Sequence, residues 1–178
     1  MRAIDYHIAV TLDGFICHDN GSIDGFLMEG VHADEFVQSL GNYDTVLMGS
    51  KTYEFGFQFG LQPGQPAYPA LKHYVFSRSL DFESSDSVTL VSTDVVEKVN
   101  EIRKQVGKDI WLCGEGKLAG CLLDAGMIDK LTIKVNPIVF GSGRKLFDGC
   151  VKKVNFEHIS SKKYDNGVVL NRYEAFKK

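Results

Sequence analysis

The stretch that most constrains this chain runs from Ile110 to Met127. Four apolar residues, Ile110 to Cys113, stop at Gly114 and Gly116, and a helical period then puts Leu118, Cys121, Leu122 and Ala125 on one face. The pattern predicts strand, tight turn, helix. Glycines in such a turn let a ligand approach the backbone, and the first N–H groups of the helix point at it, which suits phosphate. Gly114-Glu115-Gly116-Lys117-Leu118-Ala119 fits the G-x-G-x-x-G/A pattern of a dinucleotide fingerprint in the required context. Against that, the motif lies well past the first strand, and about 20 residues on, where an acid would hold a ribose, stands Lys134. The other reading is that the glycines only permit tight helix-on-strand packing; ligand contact is the favoured one.

Around this unit the chain alternates strand and helix patterns. Ile4 to Leu12 reads as a strand ended by Asp13-Gly14, and Asp19 to Gly25 as a polar loop of the kind that binds or covers ligands. A helix is predicted from Val31 to Leu40, a strand over Thr45 to Met48, and a second helix opening at Ser50-Lys51-Thr52-Tyr53-Glu54. The segment from Gly56 to Pro69 reads as irregular. Strands follow at His73 to Phe76 and Val88 to Val91, then a helix capped by Thr93 and running through Val106. Leu131 to Val135 is a strand, Phe140 to Arg144 a turn, and Val154 to Tyr164 with Val168 to Phe176 a hairpin about Asp165-Asn166-Gly167. The whole predicts one α/β domain over residues 1–178, with a mostly parallel sheet and an antiparallel edge.

Composition narrows the function. A net charge of -3 spreads the bases thinly, and Lys152-Lys153, Lys162-Lys163 and Lys177-Lys178 read as solvated surface, not nucleic-acid contacts. The four cysteines form no C-x-x-C pair and the five histidines are scattered singly, so neither a disulfide framework nor a metal site is expected. No run is long and apolar enough for a membrane span or a signal peptide, and a cytoplasmic protein is the expectation.

Gly49 repeats the strand–glycine–helix arrangement of Gly114, and ligands in open α/β sheets bind outside the carboxyl ends of such strands. Lys51, Arg78 and Lys117 would lie near those ends, where cations can meet phosphate. No catalytic dyad declares itself. Asp13 and Asp24 are candidates to donate or relay a proton, with Glu35 behind them, although Asp-Gly pairs are commonly turn formers. Cys113 reads as a buried small hydrophobe.

Thr11-Leu12-Asp13-Gly14, Val46 to Glu54, Val75-Phe76-Ser77-Arg78 and Trp111 to Phe147 together resemble the dihydrofolate reductase-like superfamily, most closely the C-terminal reductase domain of riboflavin-biosynthesis enzymes. The resemblance covers most of the chain in order. It implies a three-layer fold with a mostly parallel twisted sheet, a homodimer and NADPH as hydride donor. By that likeness Gly49, Ser50, Lys51 and Thr52 hold the pyrophosphate and adenosine side, with Ser77 and Arg78 near the ribose 2′-phosphate. Gly114, Glu115, Gly116, Lys117 and Leu118 wrap the diphosphate, and Gly14 and Ile16 sit by the nicotinamide. Three positions depart from the pattern: Ser50 replaces a common arginine, Glu115 a common glycine, and Cys113 an acid. No zinc-deaminase signature is present. The expectation is a stand-alone NADPH-dependent reductase acting on a pterin-like or pyrimidine-like heterocycle, its rival a nucleotide-binding module without turnover.

Overall fold

In the computed structural model, which describes residues 1–176, eight strands join in one sheet and two short ones form another. Lys177 and Lys178 lie outside the described residues. In chain order the elements are β1 (Ile4–Val10), β2 (Phe15–Cys17), α1 (Val31–Ser39), β3 (Tyr43–Gly49), α2 (Ser50–Phe55), β4 (Lys72–Phe76), β5 (Val88–Val91), α3 (Val95–Lys104), β6 (Asp109–Cys113), α4 (Gly116–Asp124), β7 (Lys130–Val135), β8 (Arg144–Lys145), β9 (Phe156–Lys163) and β10 (Val169–Ala175). Short 3-10 turns follow α1 and α2. The sheet order is β5-β4-β3-β6-β1-β7-β10-β9. Every pairing from β5 to β7 is parallel, and β10 runs antiparallel to both its neighbours, so the expected mostly parallel sheet with an antiparallel edge is what forms. β2 and β8 make the separate pair.

Helices cover both faces of the parallel part, which is why β3 and β6 are apolar almost throughout. On one face Val99 and Ile102 of α3 and Leu118, Ala119 and Leu122 of α4 pack on Ile4, Tyr6, Leu47, Ile110 and Leu112. On the other, Phe36 of α1 and Tyr53 of α2 join Val46, Met48, Val75 and Trp111. The buried face of α4 is Leu118, Ala119, Leu122 and Leu123, with Cys121 and Ala125 exposed. The stripe is thus turned from the expected one, because the sheet contacts Ala119 and Leu123 while Cys121 points to solvent.

Several boundaries move. α3 is capped by Asp94, whose carboxylate accepts from Glu97 N at 2.8 Å, and not by Thr93; it stops at Lys104, leaving Val106 in solvent. β1 ends at Val10, where Thr11 N turns to Phe15 O. The expected turn at Phe140 to Arg144 runs into β8, which pairs with β2. The hairpin forms as read: Tyr164 N donates to Val168 O and Gly167 N to Tyr164 O, with Gly167 at φ 88°. No helix among the described residues is long and apolar enough to cross a membrane.

Candidate active site

The two glycine breaks meet. β3 pairs with β6 through Met48 against Cys113, so Gly49, the last residue of β3, and Gly114, the first after β6, stand side by side. Each then enters a helix, α2 from Gly49 and α4 from Glu115. Side chains are excluded here for physical reasons: a Cβ on Gly114, which holds φ 65°, would overlap Thr52 Oγ1, and one on Gly49 would overlap the Glu115 carboxyl. Gly116 lies against the Lys145 carbonyl in the same way. Close packing and exposure to open space are therefore both properties of this turn, because the same backbone forms a wall of a large cavity.

That cavity, about 1510 Å³, opens along the carboxyl ends of β1, β3 and β6 on the α1/α2 face. Its cradle end carries Ser50, Lys51, Thr52 and the turn Gly114-Glu115-Gly116-Lys117; Lys145 and Arg144 approach from β8. Lys51 is tied to Glu54 at 2.9 Å. Its other end is aromatic and apolar, with Ala9, Phe36, Met48, Tyr68 and Trp111. Ile16 lines the wall between loop and sheet.

Glu115 is the one non-glycine residue at positive φ, 54°, among those described. Its side chain lies over Gly49, and its Oε2 is buried without a hydrogen-bond partner. A buried carboxylate oxygen closed against Gly49 and left without a donor is a cost built into this turn.

Of the remaining sequence candidates, all but Cys113 stand apart from the cavity. Asp13 accepts from Thr11 Oγ1 at 2.6 Å and from the N–H groups of Phe140 and Gly141, which hold its carboxyl below the usual range. It clamps two turns together. Asp24 is exposed in the loop, its N–H bonded to Ser22 Oγ. Neither lines the cavity. Gly14 is a turn glycine at φ 85° whose carbonyl accepts from Leu146 N, and Leu118 is buried in the core. Ser77 and Arg78 follow β4 one strand outward, since Gly49 pairs with Phe76; Ser77 Oγ accepts from Ser79 N and Leu80 N, while Arg78 is exposed. Glu35 is occupied by Lys162 and Tyr164. Cys113 lines the cavity as a half-buried thiol pushed up to about 12 by desolvation.

Other cavity residues gave no motif in the sequence. His7 of β1 is buried, edge-on to Phe36, and desolvation holds it neutral, down to about 4, with Arg172 and Lys134 adding to the effect. Its carbonyl takes the Trp111 indole N–H at 3.0 Å. Lys134 of β7 enters the same end. Both alternate along strands with apolar neighbours, a pattern that reads as a solvent face.

Against known proteins, the profile of the RibD C-terminal domain family matches residues 2–170, and the chain belongs to that family. A Bacillus subtilis (strain 168) protein, the uncharacterized YyaP, is 31% identical over 176 residues, covering 94% of this chain and 92% of its own. Among solved structures, a protein provisionally named for riboflavin biosynthesis from Shewanella sp. PV-4 superposes with a TM-score of 0.82 at 22% identity, over 99% of this chain and all of the other. The Thermotoga maritima diaminohydroxyphosphoribosylaminopyrimidine deaminase/5-amino-6-(5-phosphoribosylamino)uracil reductase matches with a TM-score of 0.73 at 17% identity, over 98% of this chain and 57% of its own. These likenesses establish the dihydrofolate reductase-like fold that the motif order implied.

Proposed function

We propose that the chain is an NADPH-dependent reductase that delivers a hydride to a C=N or C=O bond of a pterin-like or pyrimidine-like small molecule, in metabolism of the riboflavin or folate type. The observation that carries this reading is the meeting of the two glycine turns at one cavity, lined by Ser50 to Thr52 after Gly49 and by Gly114 to Lys117, with cations beside the turns and aromatic residues further along. Family membership supports the reductase class.

The residues present suit the cofactor. Ser50, Thr52, Lys51 and Lys117 would meet its phosphates, the α4 N-terminus adding its N–H groups. The Glu115 carboxylate, closed against Gly49, would swing out to accept from a ribose hydroxyl or an amide N–H of the cofactor. Arg78, exposed and one strand outward, is the candidate for a 2′-phosphate. The reduced nicotinamide supplies the hydride; Phe36 and Tyr68, backed by the buried Trp111, line the space for a flat heterocycle and exclude water. We carry the homodimer as part of the proposal, with sedimentation equilibrium as its check.

The test is NADPH absorbance on addition of pterins, pyrimidines and small carbonyl compounds. Consumption with one class is the expected result; binding without any consumption favours the nucleotide-binding module. Binding itself has an internal probe. Trp111, the sole tryptophan, lines the cavity three residues before Gly114, so saturating NADPH quenches its emission or drains it to the nicotinamide. Unchanged emission from folded protein counts against the cofactor placement.

A further inference from the structure

The cavity has one cation with no counter-ion where the heterocycle would lie. Lys134 is on β7, in register with Ala9 of β1, whose small side chain leaves room for it. It is half-buried, lines the cavity, and makes a single long contact, 3.4 Å from Nζ to the Leu27 carbonyl. No carboxylate lies within 4.0 Å of it among the described residues. β7 stands two strands from β6 in the sheet, so Lys134 is roughly 10 Å across the strands from the Gly114 cradle. That sets it on the His7 and Ala9 side of the cavity, two strands over from the cradle.

The groups around Lys134 leave it alone with the task. On β1, His7 is neutral at pH 7 and Asp5 is taken by Tyr43 and Thr132. His32 at the start of α1 is shifted down by burial, and Glu35 of that helix is paired with Lys162 of β9. Arg172 of β10 adds positive charge. The Tyr68 hydroxyl and Cys113 thiol hold their protons too tightly to give them at neutral pH, since burial raises both. Burial alone lowers the Lys134 ammonium, which makes its proton easier to give.

We propose that Lys134 is the proton donor of this cavity, an inference that rests on the reductase reading. The π bond of C=N or C=O breaks. Its carbon gains a hydride, oxidising the cofactor, and its nitrogen or oxygen gains the proton of Nζ. The neutral amine then takes a proton from water through the open mouth.

The experiment combines a titration that needs no turnover with steady-state kinetics. Reductive methylation with 13C-formaldehyde labels the lysines, and the signal missing from Lys134→Arg identifies position 134. Its midpoint is expected below those of the surface lysines, and wild-type kcat is expected to fall as pH rises through the same region. Lys134→Met should lose about 100-fold in kcat, and Lys134→Arg should fail to restore it, while both still quench Trp111 with NADPH. A Lys134 that titrates with the surface lysines overturns the role, as does full activity in Lys134→Arg, which would mean that charge alone suffices. Wild type that binds no NADPH overturns the reductase reading and this role together; wild-type turnover matched by Lys134→Met overturns the role alone.

Discussion

Glu115 holds a backbone conformation that favours glycine, with a buried carboxylate oxygen that has no partner. Both features cost stability, and such costs collect at binding sites. Glu115→Gly is therefore expected to raise stability by about 1–2 kcal/mol in urea unfolding, while weakening NADPH several-fold by removing an acceptor. A variant both less stable and equally tight would contradict this account. Asp13 makes the opposite case. Its carboxyl is held down first by Thr11 Oγ1 and then by two backbone N–H groups, so the stability it adds is fully present above the unfolded value near 3.8 and lost as pH falls through the lower folded one. Asp13→Asn should melt below wild type at neutral pH, the gap closing under pH 4; a gap independent of pH would show that the carboxylate charge is not what joins the turns. Asp13 was legible as a turn former from its Asp-Gly pair, whereas Glu115 was legible only as a departure, because backbone strain leaves no periodic trace.

Elements with strong periodicity could be read from the chain, and their ends less well. Thr93-Asp94 offers two capping residues in succession, and only the fold selects Asp94. β1 shows a deeper limit. Its alternation assigned Asp5 and His7 to the polar face, yet a strand between β6 and β7 has no solvent face, and α1 covers that side. Residues polar by type are buried there, which is why His7 gave no sign of lining a cavity. The burial of His7 has a measurable cost. Its folded value near 4 lies below the unfolded 6.5, so the unfolded chain binds more protons between them, and stability falls as pH drops through that window. The loss amounts to about 3 kcal/mol for this group alone. His7→Gln should flatten the profile of unfolding free energy between pH 6.5 and 4; an unchanged slope would place the acid sensitivity elsewhere, His32 being the next group to replace.

At the level of the whole molecule the motif order carried the fold and the family, because glycine turns and strand–helix alternation are local signals. The substrate end was not legible: its residues come from β1, α1, β7 and the Gly56 to Pro69 segment, brought together only by strand order.

That order has a consequence for biosynthesis. β1 is the first strand made, and it pairs on one side with β6, Ile4 against Ile110, and on the other with β7. At about 5–20 residues per second, the ribosome takes roughly 5–20 s to make the chain between those partners. Through that interval an apolar strand waits unpaired while β3, β4 and β5 can already associate. A chain truncated after Met127 lacks β7 and should neither unfold cooperatively nor stay free of aggregates, with β1 exposing one edge. Slowing translation before β6 lengthens that wait and should lower the soluble yield of the protein.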